Sequence, residues 1–137
     1  MTGDKCTIRI FSRQTMGKEA DAYDEVYDGT FLTRGNRKYI SYDRTSDDGV
    51  INVLVSFCDT DAALTQHGAV ESKIAYIPGQ KTFNKYALAE GTFNVVVETF
   101  DVSSSATEYG HRLLLEYQME LAGTVIRTSM EIKIELQ

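Results

Sequence analysis

The chain has 137 residues and a mass of 15.3 kDa, the size of one domain and too short for two with independent cores. Hydrophobic residues make up 42% and charged residues 25%, a balance that excludes wholesale disorder. Fourteen Lys+Arg against twenty Asp+Glu leave a net charge of −6. A surface of that sign repels phosphate, so neither nucleic acid nor an anionic membrane is an expected partner.

The amino terminus, Met1-Thr2-Gly3-Asp4-Lys5-Cys6, lacks the basic region and long apolar run of a secretory signal. Apolar runs reach three or four residues, as at Val95-Val96-Val97, against roughly 20 needed to cross a bilayer. A cytoplasmic protein is expected, with Cys6 and Cys58 as reduced thiols.

From there on the dominant pattern is alternation with period two, the mark of half-buried strands. Strands are expected at 5–16 and 22–34, with a turn of helix as the rival between 15 and 27, where Gly17 precedes Glu19-Ala20-Asp21. The next strand, 36–44, begins after Arg34-Gly35 and stops before the loop Thr45-Ser46-Asp47-Asp48-Gly49. Its two faces cannot be told apart, which leaves Arg37, Lys38 and Arg44 unassigned. Residues 50–58 set Ile51, Val53, Val55 and Phe57 on one face, and a short strand follows at 62–67. Residues 69–77 carry Val70, Ile74 and Tyr76 opposite Glu71 and Lys73, and end at the turn pair Pro78-Gly79. Residues 80–88 and 92–102 flank Ala89-Glu90-Gly91, and Ser103-Ser104-Ser105 reads as a break before the last hairpin.

That hairpin is the clearest element. Leu113, Leu115, Tyr117, Met119 and Leu121 alternate with polar residues, as do Ile126, Thr128, Met130, Ile132 and Ile134. A two-residue turn at Ala122-Gly123 pairs Leu121 with Thr124, Met119 with Ile126, Tyr117 with Thr128 and Leu115 with Met130. Turn length and apolar face therefore agree. The whole is one all-β domain over residues 1–137, an antiparallel barrel of about 8–10 strands connected mostly as an up-and-down meander.

Chemistry-bearing motifs are missing. There is no Gly-x-Ser-x-Gly elbow, His-Glu-x-x-His, Cys-x-x-Cys or glycine-rich phosphate loop. His67 and His111 fall in separate strands with too few companion ligands for a metal, and no cofactor is implied. No Asp or Glu stands on a clearly apolar face, as a carboxylate with a raised pKa would need. Cys58 reads as a small buried hydrophobe, although His67 would be its candidate base. No catalytic residue is assigned, and an enzyme is not expected.

Eight tyrosines and six phenylalanines in a chain without tryptophan are the stronger signal, because a barrel of this size can hold one small guest. Tyr76, Tyr86 and Tyr117 share faces with apolar residues, and a buried tyrosine needs a partner for its hydroxyl. Arg112 and Arg127 stand on the polar face of the last hairpin, which disfavours an anion clamp there.

Three stretches, Gly35-Asn36-Arg37-Lys38-Tyr39-Ile40-Ser41-Tyr42, then His67-Gly68-Ala69-Val70-Glu71-Ser72-Lys73-Ile74-Ala75-Tyr76-Ile77-Pro78-Gly79, then Tyr86-Ala87-Leu88-Ala89-Glu90-Gly91-Thr92-Phe93, together with Tyr117, resemble the YwiB-like family. The likeness covers nearly the whole chain. It departs where the family has Arg in place of His67 and Thr-Pro-x-Gly in place of Leu88-Ala89-Glu90-Gly91. The resemblance implies a closed, calycin-type (lipocalin-like) barrel in a small cytoplasmic bacterial protein, commonly from Firmicutes, and implies no activity. The reading that follows is a barrel binding a small apolar or aromatic molecule, with Tyr39, Tyr76, Tyr86, Tyr117 and His67 as candidate contacts. The alternative is a barrel filled by its own side chains, a non-catalytic interaction module working through its outer face or as a homodimer.

Overall fold

A computed structural model describes residues 3–137. Ten strands follow one another along the chain: β1 (Asp4–Met16), β2 (Glu19–Arg34), β3 (Arg37–Ser46), β4 (Gly49–Phe57), β5 (Ala62–Gly68), β6 (Glu71–Tyr76), β7 (Lys81–Leu88), β8 (Gly91–Ala106), β9 (Gly110–Leu121) and β10 (Thr124–Leu136). Each pairs antiparallel with its neighbours in sequence. The barrel is closed by β1 against β10, from Cys6 opposite Leu136 to Thr15 opposite Arg127. Closure matters energetically because it leaves no whole strand at an open edge.

The β9–β10 hairpin has the register expected from the sequence, with Leu121 opposite Thr124 and Leu115 opposite Met130. Ala122 and Gly123 both take positive φ, 51° and 82°, the geometry of a tight turn that follows the twist of its strands. Residues 15–27 form no helix: β1 runs through Met16 and β2 starts at Glu19, with a turn at Gly17-Lys18 between them. Pairing across the hairpin, from Met16 opposite Glu19 onward, outweighs the weak local preference for a helical turn. The serine run is likewise no break. β8 continues through Ser103-Ser104-Ser105 to Ala106, and its irregularity is a register shift between Thr99 and Asp101. Cross-strand partners on β9 supply what the serines lack in intrinsic strand preference.

The meander puts the turns after β2, β4, β6 and β8 at one end, together with the amino and carboxy ends of the described chain. The other turns lie at the opposite end. Alternating residues fill the first end from within: Ile40, Phe57, Leu113 and Ile134 are buried there, and Phe31 stacks on His111 with ring centroids 4.9 Å apart. That end is closed. Arg37 braces its outer wall, giving hydrogen bonds to Asp61 at 2.7 Å and to Ser56 Oγ at 3.0 Å. Cys58 joins this cluster half-buried, its thiol 3.5 Å from Asp61, and so is no core hydrophobe.

Two seams are incomplete. β2 pairs with β3 only from Gly29 to Arg34, so its first ten residues are held by β1 alone. Gly29 sits where the strands part, and a Cβ there would strike the Ser41 carbonyl oxygen and come within 2.6 Å of Ile8 Cδ1. β6 and β7 share two registered pairs, Glu71 with Ala87 and Ser72 with Tyr86. Beyond them side chains stand in for the ladder: Thr82 donates to the Ala75 carbonyl at 2.7 Å, and the Ala75 N–H donates to Asn84 at 3.3 Å.

Candidate functional site

The open end leads into an interior cavity of about 430 Å³. Its position follows from strand parity. On β1, Ile8, Ile10 and Ser12 are buried and their odd-numbered neighbours face out. On β3, Ile40 and Tyr42 fix the even positions inward. That settles the strand whose faces the sequence left open: Arg44 is directed into the cavity, whereas Arg37 belongs to the outer wall.

Tyrosines form much of the cavity wall. Tyr76 and Tyr117 lie with centroids 4.8 Å apart and planes inclined by 54°. The Tyr76 hydroxyl donates to Tyr117, and Thr128 donates to the same oxygen. Burial pushes both phenols above their ordinary range, so both are neutral donors at physiological pH. Nearer the mouth, Tyr27 stacks on Tyr42 at 4.5 Å with planes only 22° apart. Tyr27 donates to Glu25 at 2.7 Å. Burial first, and that bond to a carboxylate second, raise the Tyr27 hydroxyl to about 12. Burial likewise raises Tyr42, and neighbouring Tyr27 adds to it.

The remaining wall mixes apolar and polar groups. Ile10, Ile74, Ile132, Met119 and Met130 contribute aliphatic surface, the methionines being adaptable in shape. Ser72 donates to Gln66 at 2.9 Å beside Tyr86. Two charged residues reach the cavity, Glu25 and Arg44.

Of the five residues singled out in the sequence, Tyr76, Tyr86 and Tyr117 line this cavity together. Tyr39 and His67 do not. Tyr39 faces outward because Ile40 and Tyr42 take the inward positions, and it borders a groove of about 280 Å³ on the outer wall. His67 faces outward because Gln66 is the buried member of its pair; its Nδ1 stands 2.7 Å from Glu71, largely in solvent. The Gly68 N–H and His67 hold the Glu71 carboxyl below its usual value. The depression around His67 is larger, about 670 Å³, but it lies on the outer surface and encloses little. His67 is also far from Cys58: it pairs with Asn52 at the open end, and Cys58 lies beyond Phe57 at the closed one.

Sequence reasoning missed Tyr42, Gln66, Glu25 and Arg44. Glu25 corrects the expectation that no carboxylate occupies an inward face: it stands opposite Ile10 in the β1–β2 ladder and lines the cavity. The available signal was the i+2 spacing Ile40, Tyr42, Arg44, once parity is known. Among the described residues no group of three or more His, Cys, Asp or Glu side chains could hold a metal ion. No helix there is long and apolar enough to cross a membrane.

Comparison with known proteins gives the same architecture. The model of a domain of unknown function, DUF1934, matches residues 8–134. The chain is 24% identical over 107 residues to an uncharacterized beta-barrel protein, YwiB, of Bacillus subtilis, covering 75% of each. It superposes on the crystal structure of the ywiB protein from Bacillus subtilis with a TM-score of 0.90 at 20% identity, over 98% of this chain and 92% of the other. Identity at that level carries the fold alone.

Proposed function

The chain belongs to the DUF1934 family, and we propose that its barrel is a non-catalytic binder of one small, largely apolar or aromatic molecule in the cytoplasm. The observation that carries this reading is the cavity itself: about 430 Å³, open at one end, walled by aliphatic side chains and by Tyr42, Tyr76, Tyr86 and Tyr117. Small-molecule sites have this character and a volume of roughly 300–1,000 Å³. Ten strands give a wider interior than eight, which side chains alone nearly fill. Tyrosine rings offer flat apolar faces together with hydroxyl donors that fix orientation.

The test is titration of the purified chain with phenylnaphthylamine, a neutral aromatic probe that fluoresces in apolar surroundings. Binding at one site per chain is expected. Met119→Trp, which fills the mouth, should abolish it while the far-ultraviolet spectrum stays that of a β-barrel. Absence of saturable binding, or binding unaffected by the tryptophan, would sink the reading.

A second reading is that the chain works through its outer wall as a homodimer. Phe83 favours it, lying 81% exposed on β7, the most exposed of the large apolar side chains among the described residues. Sedimentation of the wild type against Phe83→Ser distinguishes the two: a dimer dissociated by the substitution favours the interface.

A further inference from the structure

Among the described residues, Arg44 is the arginine that lines the cavity. On the outer wall Arg9, Arg37, Arg112 and Arg127 each have a carboxylate as ion-pair partner. Arg44 is half-buried, lines the cavity, and has no carboxylate within ion-pair distance among the described residues. Glu25 shares the mouth, yet its carboxylate is engaged by the Tyr27 hydroxyl. A guanidinium partly withdrawn from water without an anion loses hydration and gains nothing in return. Its planar fork of donors matches an oxyanion better than any other ligand group.

The surroundings define the anion further. Tyr27 and Tyr42 both lie within the field of Arg44 and of Glu25; the Tyr27 hydroxyl is given to Glu25, so of the two neutral phenols it is Tyr42 that a head group placed at Arg44 would find beside it. One positive and one negative charge at the mouth admit a head of charge −1; a doubly charged one would be repelled by Glu25. Below the head, Ile10, Ile132 and Met130 receive an uncharged body.

We infer that the molecule held in the barrel is an amphiphile with an apolar or aromatic body and a single monoanionic oxyacid head, and that Arg44 is the residue that takes the head. This rests on the cavity being a binding site, and it adds the charge of the ligand to that reading.

The experiment compares two probes that share one aromatic body, neutral phenylnaphthylamine and anionic anilinonaphthalene sulfonate, each titrated and each used to displace the other. The wild type should prefer the sulfonate by about tenfold, the worth of one charge-assisted hydrogen-bond pair in a partly dry site. Arg44→Gln should erase that preference, read as the ratio of the two affinities, while the far-ultraviolet spectrum shows that the variant is folded. Arg44→Lys should retain most of the preference. Glu25→Gln should raise the ratio of sulfonate to neutral-probe affinity several-fold. A wild type that holds both probes equally, or a preference that survives in Arg44→Gln, overturns the anion inference and leaves the cavity reading standing. Failure of both probes to bind overturns both.

Discussion

Thr128 and Thr99 flank Tyr117 from opposite neighbouring strands, and only one of their two hydroxyls is hydrogen-bonded. Thr128 on β10 and Thr99 on β8 are each in register with Tyr117. Thr128 donates to its oxygen, whereas Thr99 Oγ1 is buried with no partner among the described residues. The two threonines are nearly equally inaccessible, at 2% and 1% exposure, so the difference between them is the hydrogen bond and not the burial.

Replacing each by isosteric valine separates these terms. Thr128→Val leaves the tyrosine one donor short and should cost about 1 kcal/mol. Thr99→Val removes an unsatisfied hydroxyl from an apolar setting, and its effect should be neutral or stabilising by up to about 1 kcal/mol. Urea denaturation midpoints decide it. Equal losses at the two positions would show that Thr99 has a partner after all.

The terminal hairpin offers a second comparison. Leu115 and Ile132 are 3% and 2% exposed and face the core, whereas Lys133 is on the outside. Leu115→Ala and Ile132→Ala should each cost roughly 2–5 kcal/mol, and Lys133→Ala should stay within about 0.5 kcal/mol. Glu116→Ala should fall between, since it also loses the Ser129 hydroxyl donated at 2.7 Å. Inserting one residue between Ala122 and Gly123 breaks the match of turn to register and should be as damaging as a core truncation. Denaturation midpoints across the five variants measure this, and indifference to the insertion would refute the register argument.

His111 gives the fold a dependence on pH. Burial against Phe31, followed by the field of Lys38, lowers its pKa from the ordinary 6.5. The folded chain therefore holds this imidazole neutral where the unfolded chain would protonate it. Its contribution is complete above about 6.5 and declines as pH falls through that value toward the lower folded one. The wild type should lose stability between pH 7.5 and pH 5. His111→Phe, which keeps a ring against Phe31, should lose less over the same interval. Parallel pH profiles for the two proteins would remove His111 as the cause.

The cysteines should differ in reactivity. Cys6 is 1% exposed, and burial, with the nearby Asp28 carboxylate, raises its thiol. Cys58 is half-buried in the Arg37–Asp61 cluster, and both cysteines are free. An aromatic disulfide reagent should therefore titrate one thiol in the folded protein, slowly for a free cysteine, and two in denaturant. Asp61→Asn should change the rate at Cys58 alone. Two fast thiols in the folded state would mean that β1 opens readily at the closed end.

Alternation and turn chemistry alone determined the class of fold, the order of strands and the register of the last hairpin, because those depend on period and spacing within a short stretch of chain. Leu113 to Leu121 and Thr124 to Leu136 announce their own faces, and Ala122-Gly123 fixes how they meet. What the sequence left open was every feature that depends on strands distant in the chain. Whether β8 ends at its serines is decided by partners on β9. The faces of Tyr39 and Arg44 are decided by which of two alternating sets finds an apolar neighbour, and Ile51, Val53 and Val55 across the β3–β4 ladder supply it. Glu25 looked like one more solvated acid until closure of β1 on β10 curved the sheet and set it inside the mouth, with Arg44 across the parted seam. A cavity belongs to no single strand: it is the volume left when ten inward faces are brought round to meet, and only closure of the barrel creates it.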